Sequence, residues 1–192
     1  IVGKSADRPV YLMLGGPSKT RFRAYCSILF GDTPEATYEL GRKFADQGFT
    51  AIKFGWGPMG QSEELDIALV REARRGAGED VDILIDAGQV WNWRTALKRA
   101  RQFEEFRPFW IEEPLHPQDI EGFARLTAES PIPIATGEAE SRLPEFERLV
   151  VEGGLDWIQP DPGRCGISNF VAAGRFAHRH HAKVANHSFK SG

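Results

Sequence analysis

Apolar residues follow two alternating rhythms along this chain. Compact, largely apolar runs, among them AIKF, ILI, FWI, PIA and KVA, are separated by longer stretches in which apolar positions return every three or four residues. The first pattern is that of a strand buried on both faces, the second that of an amphipathic helix. Arg23 to Phe30 is the first predicted strand. Asp32 or Thr33 caps the following helix, Pro34 lies in its first turn, Ala36, Leu40 and Phe44 form its apolar stripe, and Gly48 ends it. A second strand, Thr50 to Phe54, runs into the glycine-rich loop GWGPMG.

The same grammar then repeats. Helices are predicted over Glu63–Arg75, Trp93–Phe106, Ile120–Ala128 and Pro144–Glu152, and strands over Val81–Ile85, Phe109–Ile111, Ile132–Ala135 and Asp156–Gln159. A last helix, capped by Ser168 with Phe170, Ala173 and Ala177 facing inward, leads to a strand at Lys183–Ala185. Seven strands and six helices in strict alternation favour a parallel sheet with helical crossovers. The fold class expected is α/β, a (β/α) barrel of the TIM type.

Each strand from the third onward ends on a polar group. ILIDAG, FWIEEPL, PIATGEAE, WIQPDPG and KVANHSF carry Asp86, Glu112, Glu138, Asp161 and His187 at intervals of 26, 26, 23 and 26 residues. A strand with its return helix takes about that length, because a parallel crossover needs a dozen or more residues. In a barrel these ends converge on the face that carries the chemistry.

Composition narrows the class. The chain has 192 residues, 41% of them apolar, and a net charge of −3. It has no basic stripe of the kind that reads nucleic acid and no run of about 20 apolar residues that would span a membrane. Cys26, in a predicted strand, and Cys165, in a predicted loop, lack metal-ligand spacing and suit a reducing, cytoplasmic setting. A complete eight-unit barrel takes about 250 residues, so an incomplete barrel is expected. Residues 1–22, punctuated by Gly15-Gly16-Pro17, read as a connecting segment and residues 23–192 as the barrel domain.

The strand-end residues have a chemistry in common. Asp86, Glu112 and Glu138 on successive staves would point into one small volume, where two like charges about 4 Å apart repel by roughly 4 kcal/mol at an effective dielectric near 20. A divalent cation turns that repulsion into binding, and a few hard oxygen ligands suit Mg²⁺ better than zinc. One such acid alone would be read as a helix cap or surface ion pair; three at one structural position point to a metal. Asp161 and His187 have two readings: a carboxylate that orients a general base, or a helix cap beside a satisfied histidine. Lys53 likewise either binds a substrate carboxylate, or acts as a desolvated base, or snorkels to solvent. His178, His180 and His181 fall at a helix end, where imidazolium suits the dipole, and His116 is ambiguous.

With WIEEP at Trp110–Pro114 and ATGEAE at Ala135–Glu140, the series resembles the mandelate racemase group of the enolase superfamily over essentially the whole chain. The opening GKSADRPVYLMLGG is similar to the stretch that joins that family's capping domain to its barrel. The resemblance implies Mg²⁺ held by Asp86, Glu112 and Glu138, with Glu113 behind the ligands, and an Asp161–His187 base pair. It also implies removal of the proton α to a carboxylate through an enediolate, a sugar-acid substrate, no nucleic-acid or membrane partner, and assembly into a homo-oligomer. The family's eighth strand, which often carries a glutamate for the substrate carboxylate, is expected to be absent.

Two departures sharpen this. Family racemases carry Lys-X-Lys at the end of the second strand, whereas this chain has Lys53-Phe54-Gly55, and glycine moves no proton. Arg164 stands where relatives often have lysine, and arginine is a poor base. Dehydration of a sugar acid to a 2-keto-3-deoxy acid by the single base His187 is therefore the leading expectation. A racemase or epimerase of a 2-hydroxy acid, with Lys53 or a residue outside the chain as second base, and a catalytically silent metal-binding barrel are the alternatives.

Overall fold

The structure, a computed structural model, describes residues 1–17 and 19–188. Ser18 of the expected connector and residues 189–192 of the expected barrel lie outside the described residues. Seven parallel strands form one sheet in chain order: β1 (Cys26–Leu29), β2 (Ala51–Gly55), β3 (Asp82–Asp86), β4 (Ile111–Glu112), β5 (Ile134–Thr136), β6 (Trp157–Ile158) and β7 (Lys183–Val184). Among the described residues β1 pairs only with β2, and β7 only with β6. The helical returns are α3 (Pro34–Asp46), α4 (Glu63–Ala77), α5 (Trp93–Phe103, continued by a 3₁₀ turn over Glu104–Phe106), α6 (Ile120–Glu129), α7 (Leu143–Val151) and α8 (Pro162–Arg179). Before them, residues 1–17 hold two single-turn helices, α1 (Val2–Ser5) and α2 (Val10–Met13). The residues of α2 are exposed despite being apolar.

Strand alternation divides the apolar residues between two cores. Ile52, Phe54, Ile83, Ile85, Ile111, Ile134 and Ile158 point outward and pack with Leu69, Ala73, Phe103, Phe123 and Phe146 beneath the helices. Ala51, Leu84, Trp110 and Ala135 point inward, where Tyr25, Trp157 and Ala185 complete a second cluster. The inner cluster is built on aromatic contacts: the Trp110 and Trp157 ring centroids are 5.2 Å apart, with Tyr25 edge-on to Trp110 at 6.0 Å. One residue further along each inward series comes a polar group, since Lys53 follows Ala51, Asp86 follows Leu84 and Glu112 follows Trp110 on the same face.

Helix starts follow the capping chemistry. Thr33, Ser62, Asn92 and Asp119 each accept a hydrogen bond from a backbone N–H in the first turn. The last helix departs from expectation. It begins at Pro162, with Asp161 as its cap, and Gly166 (φ 74°) breaks it before Ser168. Left-handed backbone is cheap only at glycine, so the sequence contains a kink where a start was expected, and Cys165 lies in the first part of α8 rather than in a loop. No helix among the described residues is long and apolar enough to cross a membrane.

One buried ion pair ties the helices to the face that carries the strand ends. Asp66 of α4 is fully buried; its Oδ2 accepts from Arg99 Nε of α5 at 2.8 Å and its Oδ1 from the Gly60 N–H at 2.6 Å. The loop after β2 is thereby pinned. Removing one partner of such a pair strands the other's charge, so Asp66→Ala is expected to cost about 3–5 kcal/mol of unfolding free energy, read from the shift in a urea-denaturation midpoint.

Candidate active site

The C-terminal strand ends bring Lys53, Asp86, Glu138 and His187 to the wall of one cleft of about 660 Å³, which Tyr25 and Trp56 also line. Lys53 is only 6% exposed, so it is not a snorkelling surface lysine. Its ammonium hydrogen-bonds Glu112 Oε1 and stands 3.3 Å from Asp86 Oδ2. The other oxygen of Glu112 accepts from the Trp110 indole N–H at 3.0 Å. Burial works against the Lys53 charge, but Glu112 and Asp86 outweigh it and hold the ammonium well above the ordinary lysine range. Asp86 is pushed up to about 7, first by burial and then by Glu112, because one ammonium shared by two carboxylates leaves Asp86 short of positive charge.

Asp161 and His187 meet directly, with Nδ1 of the imidazole 2.8 Å from Asp161 Oδ2. Asp161 also accepts from the Gly163 N–H at 2.6 Å, so it caps α8 and orients the histidine at once. Burial raises its pKa, yet the His187 and Gly163 hydrogen bonds together hold it below the usual carboxylate range. The other imidazole nitrogen, Nε2, lies 3.2 Å from Glu138 Oε2. Burial and then Glu113 raise the Glu138 pKa, with His187 opposing them.

Behind these groups stand residues that periodicity did not single out. Buried Glu113 accepts from Thr136 Oγ1 at 2.8 Å and from the Gln89 side-chain amide. Gln89 and Glu113 both adopt left-handed backbone, φ 67° and 44°, as does Trp56 at 49°. Such strain in non-glycine residues gathers where surrounding structure enforces it, often at functional sites. Gln159, two residues before Asp161 and 1% exposed, buries an amide whose oxygen and nitrogen find no partner among the described residues. Trp157 belongs to the inner cluster and Ile158 to the outer one, so Gln159 faces the barrel interior. Gln89 and Thr136 carry no spacing signal; Trp110 does, being two residues from Glu112 on the same strand face.

The remaining candidates lie elsewhere. His116 is exposed and accepts from the Gln118 N–H in a turn. His180 stacks on Phe176, with centroids 4.2 Å apart, at the end of α8. Arg164 reaches the Ala139 carbonyl at 3.3 Å.

Among the described residues no three acids, histidines or cysteines form a ready-made metal cluster. The Lys53 ammonium stands between Asp86 and Glu112, and Glu138 turns to His187. The donor set nevertheless fits a hard divalent cation. Three carboxylates stand at the ends of adjacent strands, two of them share one ammonium, and burial first, then neighbouring carboxylates, shift Asp86 and Glu138 toward their neutral forms.

Fold and site together define a (β/α)-barrel protein of the TIM type with an acid-rich mouth. The chain belongs to the enolase C-terminal domain-like family, whose model matches residues 36–192. It is 38% identical over 143 residues to the L-talarate/galactarate dehydratase of Salmonella typhimurium, covering 74% of this chain and 35% of that protein. It is 35% identical over 177 residues to the D-gluconate dehydratase of Thermoproteus tenax, covering 88% and 35%. A crystal structure described as a predicted mandelate racemase from Rhodobacter sphaeroides superposes with a TM-score of 0.91 at 32% identity, covering 98% of this chain and 49% of that one. The 3,6-anhydro-D-galactonate cycloisomerase of Zobellia galactanivorans superposes at 0.89 with 29% identity, covering 97% and 52%. The chain thus spans between about a third and a half of these relatives.

A divalent cation held by these acids would be read in stability. Saturating Mg²⁺ at 100 times its dissociation constant is expected to stabilise the protein by about 2.7 kcal/mol over chelator-treated protein. Asp86→Asn, which leaves Lys53 its Glu112 partner, is expected to stay folded in chelator and to lose that gain. Differential scanning calorimetry with and without Mg²⁺ reads both.

Proposed function

We propose that this chain carries the catalytic face of an Mg²⁺-dependent dehydratase that converts a sugar acid to a 2-keto-3-deoxy acid. The single observation behind the reading is the placement of His187, hydrogen-bonded through Nδ1 to Asp161 with Nε2 turned toward the cleft at Glu138. The relatives named as talarate/galactarate, gluconate and galactonate dehydratases support the substrate class.

The residues divide the work as follows. An imidazole that donates its Nδ1 proton to Asp161 keeps the Nε2 lone pair for the substrate. In this structure Nε2 stands against Glu138 Oε2. As a base it must first give up the contact with Glu138. His187 then takes the α-proton, and the resulting imidazolium returns a proton to the departing β-hydroxyl, so water leaves and the enol becomes the 2-keto-3-deoxy acid. Asp86, Glu112 and Glu138 would hold the cation, which when bound supplies Lewis-acid stabilisation of several kcal/mol to the substrate carboxylate. Lys53 releases the two acids and is left as a cation beside an anionic substrate.

Two-base racemisation fits less well. A second base at position 55 is ruled out by Gly55, and Lys53 is held protonated by Glu112 and Asp86 until a cation takes those acids. A cytoplasmic, homo-oligomeric protein is part of the same proposal.

The test is incubation of the protein with Mg²⁺ and a panel of sugar acids in D₂O, following the α-proton by NMR. Loss of substrate with a 2-keto-3-deoxy product is expected, and His187→Asn should lower kcat by about 10²–10⁴-fold. Exchange of the α-proton without dehydration would favour racemisation, and a panel with neither exchange nor product would favour a silent barrel.

A further inference from the structure

The loop between β2 and α4 exposes an indole on a rigid support. Trp56 is 50% exposed although its loop is fixed at several points. The Trp56 N–H donates to the Asp86 carbonyl at 3.0 Å and the Met59 N–H to the Trp56 carbonyl at 3.3 Å. Met59 is buried in the outer core, and Gly60 is held by Asp66, itself paired with Arg99. Trp56 thus keeps half of a large apolar ring in water at a left-handed φ of 49°, an enforced conformation of the kind that gathers at functional sites.

The ring also has a place made for it. A methyl group at Gly88, at the end of β3, would come within 3.0 Å of Trp56 Cδ1, so any side chain there would displace the indole. A methyl group at Gly55 would meet Asp86 Oδ2 and Cβ at 3.3 Å. The β2–β3 side of the cleft carries the Trp56 indole beside Lys53 and Asp86, while the β5–β7 side presents Glu138 and His187.

We infer that Trp56 is a specificity-determining wall: its indole packs against the C–H face of an extended polyhydroxylated carboxylate while the opposite face of that substrate meets His187. The inference rests on the dehydratase reading and names what that reading leaves open, the part of the site that measures chain length. An aromatic ring suits the task because it offers a large, stiff contact area with little side-chain entropy to lose. A short 2-hydroxy acid engages only the strand-end charges and does not reach the ring.

The experiment measures binding without turnover. In His187→Asn protein with Mg²⁺, calorimetric titration is run with D-gluconate and with lactate, a three-carbon acid, before and after adding Trp56→Ala or Trp56→Phe. The expected result is about tenfold weaker gluconate binding in Trp56→Ala, unchanged lactate binding, and recovery to within about threefold in Trp56→Phe, with circular dichroism melts superimposable. Equal loss for both acids, no loss for gluconate, or failure of Phe to restore binding overturns the wall. Weakened gluconate binding in Trp56→Ala when the parent protein turns over no sugar acid keeps the wall and removes the dehydration. Turnover by the parent with unchanged binding in Trp56→Ala removes the wall alone. No gluconate binding by the His187→Asn protein overturns both.

Discussion

The structure turns on a shortage of positive charge at the ends of β2, β3 and β4. Parallel strands in register bring Asp86 beside Glu112, and the inner core beneath them leaves little water to screen the pair. The chain meets this with one ammonium. Lys53 sits between the two acids and is itself almost fully buried. Much else follows from that arrangement. The indole N–H of Trp110 takes the spare oxygen of Glu112, and His187 takes Glu138. Asp86 is displaced toward its neutral form, by burial first and then by Glu112. A buried charge left alone costs several kcal/mol, so these contacts are mutually conditional: whatever claims the acids must also release Lys53 and His187.

The sequence showed the skeleton of this arrangement because its signals are periodic. A strand end recurs at nearly constant spacing, so Asp86, Glu112, Glu138, Asp161 and His187 could be aligned without coordinates, and the Asp161–His187 contact follows from adjacent staves. The parallel sheet in chain order followed from strict alternation. What stayed hidden depends on contacts between distant residues or on single backbone angles. Lys53 looked the same as a solvated lysine until the inward phase of β2 and the Glu112 partner were known. Gln89, Glu113 and Thr136 form one hydrogen-bonded group from two loops and the end of β5, with no spacing that marks them. Ser168 has the composition of a helix cap, but Asp161 starts a helical segment earlier, and Gly166 interrupts the helix between the two. Local propensity is ambiguous where a helix is interrupted, and tertiary contacts decide.

The two cores have separate duties. Outward isoleucines and phenylalanines lock the helices to the sheet and fix strand register, which a slip of one residue would invert. Inward, Trp110, Trp157, Tyr25 and Leu84 form an apolar layer below the charged one, and Tyr25 reaches the cleft above it. Leucine and tryptophan on adjacent strands set the depth at which the polar residues emerge. Shortening that layer would lower the charges into a wetter space and weaken every electrostatic contact above it.

Chemistry at a carbon flanked by two walls depends on what each wall can do with a proton. On the β5–β7 side a histidine is held by one carboxylate and faces another, so a proton can be taken and returned. On the β2–β3 side Lys53 is paired with two acids, position 55 is a glycine, and the Trp56 indole N–H is no base. A reaction that needs proton transfer on one face alone, as syn elimination of water does, is compatible with this asymmetry; inversion at the same carbon requires a donor on the second face. Gly55 leaves position 55 without a base, and Gly88 leaves room for the Trp56 ring. For the proposed dehydration, the lack of a side chain at position 55 would matter as much as the presence of His187.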